Sequence, residues 1–550
     1  MSITSIENFS NEFFYEIFEY LDGCKIYKAF SNLNHRFQQL LNSSSLLFKI
    51  YLTCSTSNEI DINIYKQLLL NNKHQIISLH MWSSLQNSEF FSSFSIDSSF
   101  NRLESIVINE ISSTILISFL TNLTSLPRLF SLTIDTQSSL RDLNEVYRLI
   151  FALPKLKYIK ISAEPTIISI SLLIATNEQF STIEYFVINH DCTLNVLCTL
   201  ISYTPQLCHL NLMNLFENYS NNEIILPIIF SNLTYLSIQV ADIRFDELEM
   251  FIIETKCNLK LLRLITFSED RDYFDDDRWE ELILNYLIEL EEFYLEYHQQ
   301  IDPESGSLTN FEPPNRFNSL FWIERKSIFE IEMDSFEYIY SIRLYKERWY
   351  DVNSSSIELL NSTRLTLTDL PRNEYIMILN LIIRDLLAVT QIYHLEISKK
   401  TICSEILIDI IYKLFALDTL KITSLILALS RYSSIEDKKL HFVSNKNNIK
   451  KVYLEKMSKI EEIYFLIKLC PRMIHLKVEF INDMDIELFI KNILKKLNHD
   501  CNQYLRSLCI HNSTANDKII QKLEEMINRD KLLHHFTIKY IADNIYLQWK

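Results

Sequence analysis

Glycine is almost absent from this 550-residue chain, which contains only Gly23 and Gly306. Phosphate-binding loops, dinucleotide-binding turns and the nucleophile elbow of α/β-hydrolases each need at least two glycines close together, because only glycine lets the backbone turn tightly or approach a ligand closely. Two glycines separated by about half of the chain cannot build any of these sites. The composition therefore excludes most nucleotide-dependent and α/β-hydrolase functions.

Basic residues and long apolar runs are also scarce. The 53 Lys and Arg residues are outnumbered by 70 Asp and Glu residues, and no basic stripe offers a surface for phosphates. A long uncharged stretch, residues 193–216, is broken by Pro205 and by polar side chains, and the N-terminus lacks the charged and apolar regions of a secretory signal. We therefore expect no nucleic-acid or membrane partner and a location in the cytoplasm, the nucleus or both.

The ten cysteines form no C-x-x-C pair and no Cys/His cluster at metal-ligand spacing. Reduced thiols in a core are the simplest interpretation. The sequence NHDC occurs twice, ending at Cys192 and Cys501, which leaves an enzyme with a Cys/His site as a minor alternative.

The acidic segment Ser268–Leu282 lacks the glycine and the ligand spacing of an EF-hand loop. We predict no catalytic residue, no metal and no cofactor.

A repeat of the form L-x-x-L-x-L, with apolar substitutes, recurs with a period near 26 residues. Clear copies begin at Leu103, Leu129, Leu156, Ile183, Leu207, Leu233, Leu259, Leu290, Ile392, Leu417, Ile449, Met473, Leu505 and Leu533. Weaker copies at Ile76, Phe317, Ile339 and Ser362 fill the gaps, which gives about 18 repeats. A sustained register of this kind predicts one strand per repeat.

Prolines and helical segments complete the repeat. Pro127, Pro154, Pro205 and Pro471 each stand two residues before the first apolar position, where a proline ends a helix and sets an extended entry to a strand. One strand and one helix per repeat are typical of a leucine-rich-repeat solenoid, an α/β fold with a curved parallel sheet inside and helices outside. We predict this solenoid over residues 76–550, with a connector or cap over 53–75 and loops at Ser268–Leu282 and Asp302–Asn315.

Residues 1–52 have a different pattern, which predicts three short helices. Apolar residues at helical spacing follow Ser10, a turn is expected at Asp22-Gly23, and Asn34 precedes a third helix. A segment of this length buries too little apolar surface to be stable alone, and its surplus of apolar side chains indicates a surface for a partner.

This N-terminal segment resembles an F-box. The matching positions are Glu12, Phe13, Phe14, Ile17, Tyr20, Leu21, Asp22, Ile26, Arg36 and Phe37. Phe9-Ser10 replaces the usual Leu-Pro entry, and Phe37 stands where tryptophan is usual. Together with the repeats that follow, the chain is similar to F-box and leucine-rich-repeat proteins.

The resemblance implies a non-catalytic substrate receptor of a Skp–cullin–F-box ubiquitin ligase. The F-box would bind a Skp-type adaptor, and through it a cullin–RING ligase, while the repeats would bind a protein target. The implied adaptor-binding residues are Phe9, Glu12, Phe14, Ile17, Leu21, Ile26 and Phe37. The alternative is a leucine-rich-repeat interaction scaffold without a ligase role, whose N-terminal helices only cap the array.

A target would bind on the concave face of the sheet. In each repeat the second and third apolar residues point into the core, so the third and fifth positions face the concave side. The third positions of four successive repeats are Tyr158, Tyr185, His209 and Tyr235. Aromatic side chains with a polar tip are common anchors in protein interfaces, so we predict a target-binding stripe at these four residues.

Overall fold

The computed structural model describes most of the chain in separate segments. The described residues are 7, 9–52, 59–82, 96–111, 113–136, 143–164, 170–216, 230–300, 317, 319–325, 327–333, 337–344, 363–368, 392–399, 401–427, 434–481, 485–499, 504–511 and 517–550. The chain divides into two compact units, one of residues 1–272 and 278–293 and the other of residues 273–277 and 294–550. The Asp302–Asn315 loop predicted from the sequence lies outside the described residues.

The first unit contains the three N-terminal helices, followed by strands that are joined in part through helices. Its helices are α1 (Asn11–Glu19), α2 (Gly23–Phe30), α3 (His35–Leu41), α4 (Glu59–Asn71), α5 (Ser113–Leu123), α6 (Leu143–Phe151), α7 (Leu194–Ser202), α8 (Phe245–Thr255) and most of α9 (Asp276–Tyr286). Its strands are β1 (Phe48–Leu52), β2 (Ile76–Trp82), β3 (Ser105–Asn109), β4 (Ser131–Thr136), β5 (Tyr158–Ala163), β6 (Tyr185–Thr193), β7 (His209–Phe216), β8 (Tyr235–Ala241) and β9 (Leu261–Thr266).

Strands β1 to β9 pair in chain order, and every pair is parallel. The apolar positions of the repeat face the core: Leu156, Ile159 and Ile161 of one repeat are completely buried. The described helices end two to four residues before the prolines that were predicted to terminate them, as α6 does before Pro154. The sequence pattern therefore predicts both the strand positions and the helix ends in this unit.

A recurring pair of hydrogen bonds fixes the entry of strands β4 to β9. The carbonyl at the second repeat position accepts from two consecutive backbone N–H groups of the next repeat, for example from Glu184 and Tyr185 to Lys157. The same double contact joins Cys208 and His209 to Glu184. Because this contact sets the register, the third positions of neighbouring strands lie directly opposite one another.

The second unit contains the remaining elements. From Tyr294 on, β10 (Glu292–Gln300) belongs to it, with β11 (Ser327–Met333), β12 (Glu337–Leu344), β13 (Thr363–Leu367), β14 (Ile392–Ile397), β15 (Ile402–Cys403), β16 (Thr419–Ile426), β17 (Lys451–Met457), β18 (His475–Ile481), β19 (Ser507–His511), β20 (Phe536–Ile541) and β21 (Asn544–Trp549). Its helices are α10 (Leu320–Glu324), α11 (Ser404–Ile411), α12 (Ser434–Lys446), α13 (Ile460–Leu469), α14 (Ile486–His499) and α15 (Asp517–Arg529).

The second unit departs from an all-parallel sheet in two places. Strand β12 lies between β10 and β11 and is antiparallel to both. At the other end, β21 is antiparallel to β19 and to β20. Between these places the sheet runs parallel from β11 through β13, β14, β16, β17 and β18 to β19. The fold is therefore α/β with a long, mostly parallel sheet, as expected for an α/β solenoid.

Three copies of the repeat do not form the parallel strand that the sequence predicts for them. The copies at Ile339 and Leu533 lie in antiparallel strands, because the apolar pattern of a strand does not specify its direction. The weak copy at Phe317 begins no strand: Phe317 has a left-handed backbone with φ of 50°, and α10 follows it. No helix among the described segments is both long and apolar enough to cross a membrane.

Candidate functional site

The three N-terminal helices begin at the residues that the sequence predicts. Ser10 caps α1 by accepting from the N–H of Phe13, and Asn34 caps α3 by accepting from the N–H of Phe37 at 3.1 Å. Asp22 caps α2 by accepting from the N–H groups of Cys24 and Lys25. Each cap satisfies donors that the first turn of a helix cannot pair internally.

A cluster of aromatic rings forms the core of this helical module, residues 9–52. Phe14 packs edge-on against Phe37 with ring centroids 5.0 Å apart, and both side chains are 1% exposed. Phe18 and Phe30 extend this cluster, with their ring centroids 5.1 Å apart, and Phe18 and Ile26 are also 1% exposed. Of the predicted adaptor-binding residues, Phe14, Ile26 and Phe37 therefore hold the module together and present no surface to a partner.

The remaining predicted residues lie on the surface of the module. Phe9, Phe13, Ile17 and Leu21 recur every four residues, and each is between 37% and 42% exposed. Phe13 and Ile17 share one face of α1, while Phe9 and Leu21 lie just outside its two ends; we call these four exposed apolar side chains the α1 stripe. Phe9 and Phe13 stack at 4.6 Å. Phe13 was not among the predicted site residues, although the four-residue spacing contains the signal that identifies it.

Polar residues surround the α1 stripe. Glu12 is exposed, and hydrogen bonds from its own backbone N–H and from the Ser10 hydroxyl lower the pKa of its carboxyl. Arg36 donates to the backbone carbonyls of Glu7 and Phe9 and to the side chain of Asn11 at 2.9 Å. These contacts fix the chain that leads into α1 and so position Phe9 beside Phe13.

The helical module is joined directly to the sheet. Its strand β1 pairs with β2, and the buried side chain of Gln75 donates to the carbonyls of Leu41, Ser43 and Leu46 at 2.8 to 3.2 Å. Asp22 also accepts from the N–H of Tyr51 in β1, and burial raises the pKa of this carboxyl. Hydrogen bonds from the residue that precedes the first repeat therefore hold the helical module against the sheet.

The four predicted concave residues are brought together as direct partners across β5 to β8. Tyr158 is opposite Tyr185, Tyr185 is opposite His209, and His209 is opposite Tyr235. The His209 and Tyr235 rings stack at 3.7 Å with an angle of 8°, and Tyr185 lies 5.5 Å from His209 at 32°. Tyr185 is the most exposed of the four, at 44%. We call this row the tyrosine stripe.

The electrostatics of the tyrosine stripe are nearly neutral. Burial lowers the pKa of His209, so its imidazole is uncharged near pH 7. The next row of the same face contains Lys160, Val187, Asn211 and Ser237. These two rows contain no carboxylate on β5 to β8, in contrast to the net charge of −17 of the whole chain. The surface offers rings, hydrogen-bonding groups and one cation.

The equivalent face of the second unit pairs its own charges. Lys421 forms ion pairs with Glu396 at 2.7 Å and with Glu455 at 3.0 Å, and Lys477 pairs with Glu479 at 2.8 Å. Charges that are neutralised within one face are less available to a partner. The tyrosine stripe is consequently the better candidate for binding a target.

The Cys/His alternative finds no support in the geometry around Cys192. The Tyr147 hydroxyl contacts Nε2 of His190 at 2.5 Å, and Nδ1 of His190 lies 2.9 Å from the Asp191 carbonyl, so both ring nitrogens are occupied. Burial raises the pKa of Cys192, which keeps its sulfur protonated and unreactive. The second candidate, Cys501, lies outside the described residues.

The acidic segment Ser268–Leu282 forms a network around Arg278. Its guanidinium pairs with Asp246 and Asp272 at 2.8 Å and also with Glu249. Asp275, Asp276 and Asp277 bring carboxylate oxygens within 4.8 Å of one another. Asp276 is buried and accepts from the N–H of Phe317 at 2.8 Å, so this carboxylate already has a structural role.

No protein-family model matches the chain, and no match is found among curated proteins.

Proposed function

We propose that this protein is the substrate-recognition subunit of a Skp–cullin–F-box type ubiquitin ligase. In this role it performs no chemistry itself. The F-box-like module binds the Skp-type adaptor, the repeats bind a protein target, and other subunits transfer ubiquitin. The protein acts by raising the local concentration of the target beside the ubiquitin carrier, in the cytoplasm or the nucleus.

The α1 stripe is the observation that carries this proposal. Four large apolar side chains remain more than one third exposed on a module whose core is already filled by Phe14, Phe18 and Phe37. Burying the exposed part of each side chain would contribute about 1 kcal/mol, which favours docking of a partner surface. The stripe lies in the segment that resembles an F-box, so the adaptor is the partner that we assign to it.

Adaptor capture tests the proposal directly. Replacing Ile17 and Leu21 by Asp would place two charges in the apolar contact, at a cost of several kcal/mol. We expect the double variant to lose co-purification of the adaptor and the cullin at least tenfold. The matched control replaces Leu284 and Ile288 by Asp, since these exposed apolar residues lie outside the module.

Both double variants must unfold cooperatively at similar temperatures, so that a loss of capture reports binding. Undiminished adaptor capture by the Ile17→Asp, Leu21→Asp variant would contradict the ligase role. Failure of the unchanged protein to capture any adaptor would do the same.

A second candidate is the leucine-rich-repeat scaffold without a ligase role. The pairing of β1 with β2 favours it, because the helical module thereby covers the open edge of the first repeat. Under this function the tyrosine stripe would still bind a protein, but the adaptor would be absent from the captured complex. The adaptor experiment therefore separates the two functions.

A further inference from the structure

We infer that the target segment bound by the tyrosine stripe is proline-rich, in the polyproline II conformation, with a carboxylate that pairs with Lys160. The inference rests on the proposed role of the stripe as a target-binding surface and adds the chemistry of the target.

The spacing of the rings is the first argument. Neighbouring strands lie about 4.8 Å apart, so every second residue of the stripe recurs after about 9.6 Å. A polyproline II helix repeats every three residues, about 9.3 Å, so that prolines three apart meet equivalent positions of the stripe. An extended strand presents side chains to one face about every 6.6 Å, so its side chains no longer match the positions of the stripe after one repeat.

Hydrogen bonding distinguishes a polyproline II segment from an α-helix. His209 and Tyr235 stack face to face, which leaves the polar tips of the rings for a partner. The hydroxyls of Tyr158 and Tyr235 form no hydrogen bond with other described residues, and Asn211 lies in the next row. A polyproline II segment has carbonyl groups without internal partners, whereas those of a helix are already paired. The tyrosine hydroxyls can therefore donate hydrogen bonds to the carbonyls of a polyproline II segment, which an α-helix could not accept as readily.

The positive charge of Lys160 indicates an acidic residue in the target. Lys160 is two residues from Tyr158 on β5, on the same face, and forms no ion pair with the described part of the chain. No carboxylate lies in the two rows around it on β5 to β8. A partner carboxylate near the Tyr158 end of the stripe would meet this cation, whereas a basic partner would be repelled.

The experiment measures fluorescence anisotropy of fluorescein-labelled peptides on the full-length protein. The probe is EPPQPPE, which has a glutamate at each end so that either binding direction reaches Lys160. EAAQAAE has the same charge without the proline backbone, and KPPQPPK reverses the charge. We expect EPPQPPE to bind at least tenfold more tightly than either control peptide.

Substitutions in the stripe provide the second part. Tyr185→Ala and Tyr235→Ala should each weaken EPPQPPE at least fivefold, while Tyr286→Ala, which removes an equally exposed tyrosine from α9, should change nothing. Lys160→Glu should reverse the preference between EPPQPPE and KPPQPPK. Reversal by this single change distinguishes ion pairing from general damage to the fold.

Equal binding of EPPQPPE and EAAQAAE, or binding of neither, would overturn the inference. An unchanged peptide preference in Lys160→Glu would overturn the assigned carboxylate. Adaptor capture is measured on the same preparations. If the unchanged protein captures the adaptor but does not prefer EPPQPPE, the inference alone is refuted. If the unchanged protein captures no adaptor, the proposed function is refuted.

Discussion

His475, the first residue of β18, illustrates how a single residue couples the fold to pH. Its Nδ1 contacts the Ser507 hydroxyl at 3.0 Å. Burial, together with the nearby cations Lys451 and Lys477, lowers the pKa of His475 to about 4. An unfolded histidine has a pKa of about 6.5, so the unfolded chain takes up a proton that the folded chain refuses.

The folded state should therefore lose stability as the pH falls from about 6.5 towards 4, with an upper limit of roughly 3 kcal/mol from this residue. His475→Gln keeps a partner for Ser507 but cannot take up the proton. We expect the denaturation midpoint of the variant to fall less than that of the unchanged protein between pH 7 and pH 4.5. His511→Gln, at an exposed histidine, is the control. Parallel pH profiles for the His475 variant and the unchanged protein would refute this.

At single positions the sequence predicts the apolar character of α1 but not which residues are buried. Phe13 and Phe14 are adjacent and equally apolar, yet Phe13 is 41% exposed and Phe14 is 1% exposed. The choice depends on where α2 and α3 pack, and a pattern of apolar residues that covers most of a short helix does not fix it. Predicting an interface at Phe14 and Phe37 therefore selected the core of the module.

Among the elements, β1 and the short segment before β2 decide how the helical module is attached. The side-chain amide of Gln75 is fully buried and serves three module carbonyls, those of Leu41, Ser43 and Leu46. Its own oxygen accepts from Asn72 at 2.6 Å. A buried carbonyl without a donor costs about 1 to 3 kcal/mol, so one side chain carries much of this connection.

Gln75→Leu should destabilise the protein by about 2 to 4 kcal/mol, because it retains the volume of the side chain and leaves buried carbonyls unpaired. Hydrogen exchange should accelerate in β1 and α3 while the amides of β5 change little. Gln39→Leu, on the exposed side of α3, is the matched control. Exchange that accelerates equally in all strands, or nowhere, would show that Gln75 has no special role in the attachment.

Strand positions follow from the repeat, whereas strand direction does not. The pattern predicts β4 and β5 with their register, since the period of about 26 residues leaves room for one helical return to a parallel strand, which α6 provides here. Strand β12 follows β11, and β21 follows β20, after a connection too short to contain a helix. Such a short connection can only join antiparallel strands. The short connections within each antiparallel pair contain this information, but the L-x-x-L-x-L motif does not, since the copy at Leu533 follows the copy at Leu505 at ordinary spacing.

For the whole molecule, the division into two units raises the question of where the first unit ends. Residues 278–293 return to it after the excursion at 273–277. Trp279 in this returning segment is fully buried, with ring centroids 4.9 Å from Phe245 and 5.1 Å from Phe293. Arg278 lies over the Phe245 ring at 4.5 Å and pairs with Asp246. The segment therefore completes the core of the first unit.

Two truncations test this boundary. A fragment that ends at Asp272 loses Trp279 and Phe293 from around Phe245, and loss of a buried tryptophan side chain alone costs about 3 to 5 kcal/mol, a large share of the stability of a typical domain. We expect this fragment to aggregate, because it exposes the apolar edge of its last repeat. A fragment that ends at Phe293 retains these contacts and should unfold at a temperature at least about 10 °C higher. Trp279→Ala in the full chain is the control for the packing effect and should lower the first unfolding transition. Equal solubility and equal midpoints of the two fragments would show that the returning segment adds nothing to the first unit.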